Sequence, residues 1–307
     1  MRTKKKAIYL DTNIWNRLCD GDIEPMPFLE SLKAKDACLA LSQQAVYELA
    51  KTYKAKSERG RQLFQYLKSY VDVGVDVDSG FLVVHSNMEQ LRSEVKAIYA
   101  SASKVSPSYG PVEYKELKVA VDELAAGVVV EKAQAYLVER QLFSESSRTN
   151  PATFFVERPE LRARYQQIPQ EGLPAWLEST LHSGVGIELL ERHLIRICSP
   201  APYETADRLL RRPGSLMARA LVRADLLANW KGATTTTTSK TVPRDLMEDM
   251  YHVTNAVYCS VYAVADGHQW HARHLLSSHT QEAVYGGTGP IDQWLLGLVD
   301  GAEPATT

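Results

Sequence analysis

The chain has 307 residues, 45% of them apolar, enough for one large domain or two ordinary ones with a substantial core. Lys and Arg number 35 against 37 Asp and Glu, a formal net charge of −2, so no global basic field announces a nucleic-acid partner and any phosphate-binding surface must be local. Cys19, Cys38, Cys198 and Cys259 are far apart with no paired spacing, which argues against a zinc ribbon or a disulfide framework and suits a reducing cytoplasmic setting.

The basic start MRTKKK leads into the apolar AIYL, but Asp11 and Asn13 interrupt that run before it reaches the length of a signal-peptide core. Nor does any run approach the roughly 20 apolar residues of a membrane span. Residues 7–11 read as a short buried strand ending abruptly in an acid, which is either a helix cap or a ligand held at a sheet edge. DACLALS, 36–42, reads as a second strand, leading into a helix for which Ser42 is the expected N-cap. In that helix Val46, Leu49, Ala50 and Tyr53 recur at three- and four-residue intervals and form the buried stripe, while Lys51, Lys54 and Lys56 point elsewhere.

GFLVVHS, 80–86, reads as a third strand, after which strand signals nearly vanish for more than a hundred residues. Residues 114–143 carry a long helical pattern, weakened by Gly127 and the Val128–Val130 run. Between 150 and 213 lie seven of the fourteen prolines, which predicts short helices joined by loops. The Thr-rich segment in 231–245 reads as an exposed linker. A helix then runs from near Pro243 to about Cys259, VYAVAD at 261–266 is a fourth strand that again ends in an acid, and the tail supplies an edge strand and a closing helix.

Asp11 and Asp266, each closing an apolar strand, are the central observation. In a parallel sheet, ligands gather outside the carboxyl ends of the strands. Glu48 follows the second strand by about two helical turns, and Asp249 precedes Asp266 by 17 residues, the length of one helix and its return. If the strands are neighbours, all four acids converge. Packed carboxylates repel unless a cation shares the site, and hard oxygen donors suit Mg²⁺ or Mn²⁺. The chemistry implied is phosphodiester hydrolysis, with the ion activating water and polarising the phosphoryl oxygen.

In these motifs, YLDTNIW with Asp11, LALSQQAVYELAK with Glu48, and EDMYHVTNAVYCSVYAVAD with Asp249 and Asp266, the chain resembles the PIN-domain nucleases. The resemblance implies a three-layer α/β/α sandwich with a short central parallel sheet, its PIN-like core formed by 1–90 and 231–307 and interrupted by a large, mainly helical insertion at 91–230. It further implies Asp11, Glu48, Asp249 and Asp266 as catalytic ligands of Mg²⁺ or Mn²⁺, with Thr12 and Asn13 as supporting hydrogen-bond groups and single-stranded RNA as the substrate, DNA being the alternative. The family includes toxins of toxin–antitoxin pairs, RNA-processing factors and relatives of flap endonucleases, so an inhibitor protein is one expected partner. Asp245 shares a helix face with Asp249 and is the alternative third ligand, and His252 places an imidazole on the adjacent turn.

Other features weigh less. His268, His271 and His274 are three residues apart, but such positions drift about 60° per step around a helix and do not readily share one ion, so they read as surface or outer groups. Arg208, Arg211, Arg212, Arg219 and Arg223 form a basic cluster, either a wall for phosphates or solvated helices with i,i+4 partners. Lys51 and Lys54 with Arg211, Arg212 and Arg219 are the candidate nucleic-acid contacts. No P-loop, GxGxxG after a strand, HExxH or GxSxG is present, and a phosphatase with a strand-end Asp nucleophile would want a second Asp where Asn13 stands. The rival to a nuclease is a catalytically inactive PIN-like scaffold that binds RNA or a protein.

Overall fold

A computed structural model describes residues 6–55, 57–73, 80–100, 111–127, 159–195, 197–198, 201–234, 244–265, 267 and 269–300, with backbone alone for 47, 51–55, 57, 111–113, 116, 244–248 and 251. The chain runs β1 (Lys6–Leu10), α1 (Thr12–Asp20), α2 (Pro25–Ala34), β2 (Ala37–Ser42), α3 (Gln43–Ala55), α4 (Ser57–Asp72), β3 (Phe81–Val84), α5 (Asn87–Tyr99) and α6 (Pro111–Ala125). It continues through α7 (Pro159–Gln166), α8 (Leu173–Leu181), α9 (Gly184–Leu194), α10 (Pro202–Arg211), α11 (Leu216–Thr234) and α12 (Arg244–Asn255). Strand β4 (Val261–Val264), α13 (Ala272–Leu275), β5 (Gln281–Val284) and α14 (Ile291–Asp300) complete it.

The five strands form one sheet in the order β3-β2-β1-β4-β5, and every pair is parallel. Ala7 to Leu10 and all of β2 to β4 are buried, as expected of strands covered on both faces, which read as apolar runs without polar alternation. Side chains nevertheless alternate between two cores. Ala7, Tyr9, Cys38, Ala40, Leu82, Val84, Tyr262 and Val264 meet α5 and α7 to α13 on one face. Ile8, Leu10, Leu39, Leu41, Phe81, Val83, Val261 and Ala263 meet α1 to α4, α6 and α14 on the other. The result is helix, sheet and helix in three layers, and the helices between 159 and 234 share one continuous core with the sheet.

From β1 the chain steps to β2 and β3 on one side, then returns to place β4 and β5 on the other. The carboxyl edge between β1 and β4 is therefore a topological switch point, where α/β sheets hold ligands. Ser42 caps α3 as expected, its Oγ accepting the Ala45 N–H at 3.1 Å. Within the pattern at 114–143, α6 stops at Ala125 and Gly127 follows at φ +70°, a conformation that costs glycine least, so the break falls where Gly127 weakened the pattern. The rest of that pattern lies outside the described residues. The expected linker at 231–245 is corrected at its ends, since 231–234 complete α11 with Ala233 buried in the core and 244–245 open α12, while 235–243 lie outside the described residues. No helix among the described residues is long and apolar enough to cross a membrane.

Candidate functional site

Asp11 stands directly behind β1 at the switch point, and its backbone N–H donates to Ala263 O at 2.9 Å, tying the ends of β1 and β4 together. It occupies the N-cap position of α1, yet its side chain makes no capping bond. The cap alternative raised by the sequence is thus set aside, and the carboxylate, buried at 6% exposure, turns instead toward His252. Glu48 enters from α3, where Gln44 Nε2 donates to its Oε1 at 3.3 Å.

His252 enters from α12 and is 1% exposed. Its Nε2 is 3.4 Å from Asp11 Oδ1 and its Nδ1 is 3.6 Å from Glu48 Oε2. Neither ring nitrogen has a hydrogen-bond partner among the described residues, an expensive condition for buried polar atoms. One donor atom each from Asp11, Glu48 and His252 falls within 4.8 Å of the others. Two donors about 2.1 Å from one ion at a tetrahedral angle would be about 3.4 Å apart, so the group could hold an ion once its side chains draw in slightly around it. A histidine that binds through one nitrogen commonly gives its other N–H to a carboxylate, and both partners are in place here.

Two tyrosines wall the imidazole. Tyr9 meets its ring edge-on at 5.0 Å between centroids, and Tyr262, the register partner of Tyr9 across β1 and β4, lies at 6.3 Å. Tyr9 Oη is 2.5 Å from Ser42 Oγ, while Tyr262 Oη donates to Gln269 Oε1 at 3.1 Å. Burial pushes both phenols up, and the charges of Glu48 and Asp11 push in the same direction. The tyrosines therefore stay neutral and form a low-dielectric wall. The sequence reading missed them, although a signal was present: Tyr9 and Asp11 are two residues apart at the end of a strand, the spacing that shares a face.

The expected residues fare differently. Asp11 and Glu48 meet, and His252, expected in a supporting role, sits between them. Asp249 lies one turn earlier on α12 and outside this group, but α12 packs through Met250 and Val253 on the face of the sheet that carries Tyr9 and Tyr262, and the Asp249 charge also raises the Tyr262 phenol. Asp266 and His268 lie outside the described residues. Asp245, Lys51 and Lys54 are described by their helical backbone alone. Thr12 and Asn13 open α1, where Thr12 O accepts the Asn16 side-chain amide at 3.1 Å. Arg211 pairs with Asp207 at 2.8 Å in the i,i+4 fashion of a solvated helix, and Arg219 pairs with Glu178 at 3.1 Å. Arg212 follows α10, and its charge acts on buried Glu94.

Two histidines correct the sequence reading. His271 and His274 are 3% and 7% exposed and belong to the interior, not the surface. Burial, helped by neighbouring positive charge, brings both pKa values down to about 4, so they are neutral at physiological pH.

Fold and site together define a parallel α/β protein with a buried carboxylate–imidazole cluster at the switch point of its sheet. No family model, no curated protein and no solved structure matches the chain.

Proposed function

We propose that this protein is a metal-dependent nuclease of PIN type that hydrolyses single-stranded RNA in the cytoplasm, with DNA as the alternative substrate. The observation that supports this best is the meeting of Asp11, Glu48 and His252, carried by β1, α3 and α12, within 4.8 Å. Three separate elements contribute donors to a buried point at the sheet edge, and an unsatisfied imidazole nitrogen supports an ion there, the ring's other nitrogen being left to face a carboxylate. Carboxylates suit Mg²⁺ and Mn²⁺ alike, whereas an imidazole donor tilts the choice toward Mn²⁺.

A bound ion would supply a Lewis acid that polarises a phosphoryl oxygen and makes water a stronger nucleophile. The chain's own part is to fix that chemistry in place. Asp11 and Glu48 provide anionic oxygens, Tyr9 and Tyr262 hold the His252 ring and exclude water from it, and partly buried Asp249 stands one turn away on α12 as a further acid. Asp266 remains part of the proposed ligand set. A toxin or RNA-processing role, with an inhibitor protein as partner, belongs to the same proposal.

The test is cleavage of labelled single-stranded RNA and DNA with Mg²⁺, Mn²⁺ or EDTA, comparing the intact protein with Asp11→Asn and His252→Ala. Ion-dependent cutting lost in both variants is expected; undiminished cutting by Asp11→Asn would remove the assignment. One observation favours a second reading, the catalytically inactive scaffold: the two nitrogens of the His252 ring face the two carboxylates at 3.4 and 3.6 Å, so a single imidazolium there would offset one of their two charges without any ion.

A further inference from the structure

A second concave site lies away from the acids, walled by α8, the turn between α10 and α11, α11 itself, and the segment from α13 to Ser278. Its volume is about 370 Å³, the size that holds a small metabolite. Ser277, which lines it, donates to Val257 O at 3.1 Å, ahead of β4, so this part of the site lies by the segment entering β4, whereas Asp11 is tied to the far end of that strand.

Arg219, Arg223 and Arg273 all reach the cavity, with Glu178 as the carboxylate among them. Arg219 and Arg223 stand four residues apart on α11 with side chains only 18% and 16% exposed, and both donate to Glu178, whose own side chain is half exposed. Arg273 makes no ion pair among the described residues; its Nε donates to His274 Nε2 at 3.3 Å. Three guanidinium groups against one carboxylate leave a formal excess of two positive charges. Like charges at i,i+4 repel, and partial burial strengthens the repulsion. Burial and the adjacent Arg223 charge indeed hold Arg219 below its usual pKa, with Glu178 opposing.

The protein thus carries an uncompensated charge that an anion would relieve. Guanidinium groups match tetrahedral oxyanions through paired N–H donors, better than any other side chain. Neutral His274 adds no competing charge and receives Arg273 as an acceptor. The remaining wall is mixed: Leu177, Leu216, Leu275 and Leu276 give it an apolar side, and Ser277 and Ser278 stand beside them. A bare inorganic ion would leave that wall unused.

We infer that this cavity binds a phosphate monoester carrying a small apolar or aromatic body, the chemical class of the mononucleotides. The phosphate lies among Arg219, Arg223 and Arg273, where it competes with Glu178, and the body packs on the four leucines. This site stands independently of the acidic centre, so it is tested without that centre's function.

The experiment is isothermal titration of the Asp11→Asn protein in EDTA with AMP and, separately, with inorganic phosphate. AMP should bind at least about tenfold tighter than phosphate. Arg273→Gln, an exposed position whose loss leaves the fold intact, should weaken AMP about tenfold. Glu178→Gln should tighten it, because the competing carboxylate is gone; a site held together merely by the Glu178 ion pairs would weaken instead. No binding of AMP up to about 10 mM, equal affinities for AMP and phosphate, or affinities unmoved by both substitutions would overturn the assignment.

Discussion

Substituting Asp11 by Asn separates the two readings of the acidic centre by the sign of its effect. The carboxylate oxygens of Asp11 and Glu48 in the donor group are within 4.8 Å. At an effective dielectric constant of about 20, two like charges at that separation repel by roughly 3 kcal/mol. If His252 is neutral and an ion is the missing partner, Asp11→Asn removes the repulsion and the protein in EDTA becomes more stable. The expected gain is about 3 kcal/mol, or roughly 5 °C for a chain of this size. If His252 is instead a cation bridging both acids, the variant loses an attraction across 3.4 Å worth roughly 5 kcal/mol and recovers only the repulsion, a net loss of about 2 kcal/mol.

Mn²⁺ completes the assay. At a hundred times its dissociation constant an ion that binds only the folded state adds about 2.7 kcal/mol, close to another 5 °C. Substituting a group that merely orients a metal ligand costs 10- to 100-fold in affinity, so losing a ligand should cost at least about 100-fold and erase the shift. Thermal melts by calorimetry in EDTA and in Mn²⁺ are the measurement. An intact protein indifferent to Mn²⁺, with an Asp11→Asn variant that melts lower in EDTA, would refute the metal-centre argument and leave the inactive scaffold.

Two further outcomes test the frame around the site. Glu94 on α5 is fully buried and accepts the N–H groups of Met217 and Ala218 at 2.7 and 2.9 Å, at the start of α11, together with the Tyr258 hydroxyl. Burial outweighs these donors and pushes its pKa from 4.5 to about 7. A carboxyl that holds its proton more tightly when folded contributes stability that is fully present below pH 4.5 and lost as the pH rises through 7. Chemical denaturation across that window should show the intact protein losing about 3 kcal/mol relative to Glu94→Gln, and an opposite slope would mean that the donors win. At Gly186 a Cβ would lie 2.4 Å from Leu181 O and 2.6 Å from Thr180 O, whereas at Gly184 it would meet nothing. Gly186→Ala should therefore cost about 1–3 kcal/mol in urea unfolding and Gly184→Ala close to none; equal effects would contradict the close approach.

The sequence by itself determined the local architecture. Continuous apolar runs in Ala7–Leu10 and Ala37–Leu41 marked strands buried on both faces, because only a parallel sheet between helix layers leaves no polar alternation. Ser42 announced its helix, Gly127 marked the weakness where α6 stops, and the late apolar runs located β4 and β5. These signals are legible because capping, φ preference and side-chain period are fixed within a few residues of chain. An acid closing an apolar strand likewise pointed to the sheet edge where Asp11 now stands.

Only the tertiary structure decided which groups meet there. His252 was visible one turn after Asp249, but its place between Asp11 and Glu48 depends on how Met250 and Val253 seat α12 on the sheet. His271 and His274 had the polarity of surface groups and are interior because α13 folds back beneath α11 and its neighbours. Glu94 reaches the start of α11 across 123 residues, and Glu178 meets Arg219 across 41. Periodicity reports which way a side chain leaves its own element, whereas the partner it finds is set by how all the elements close around one core.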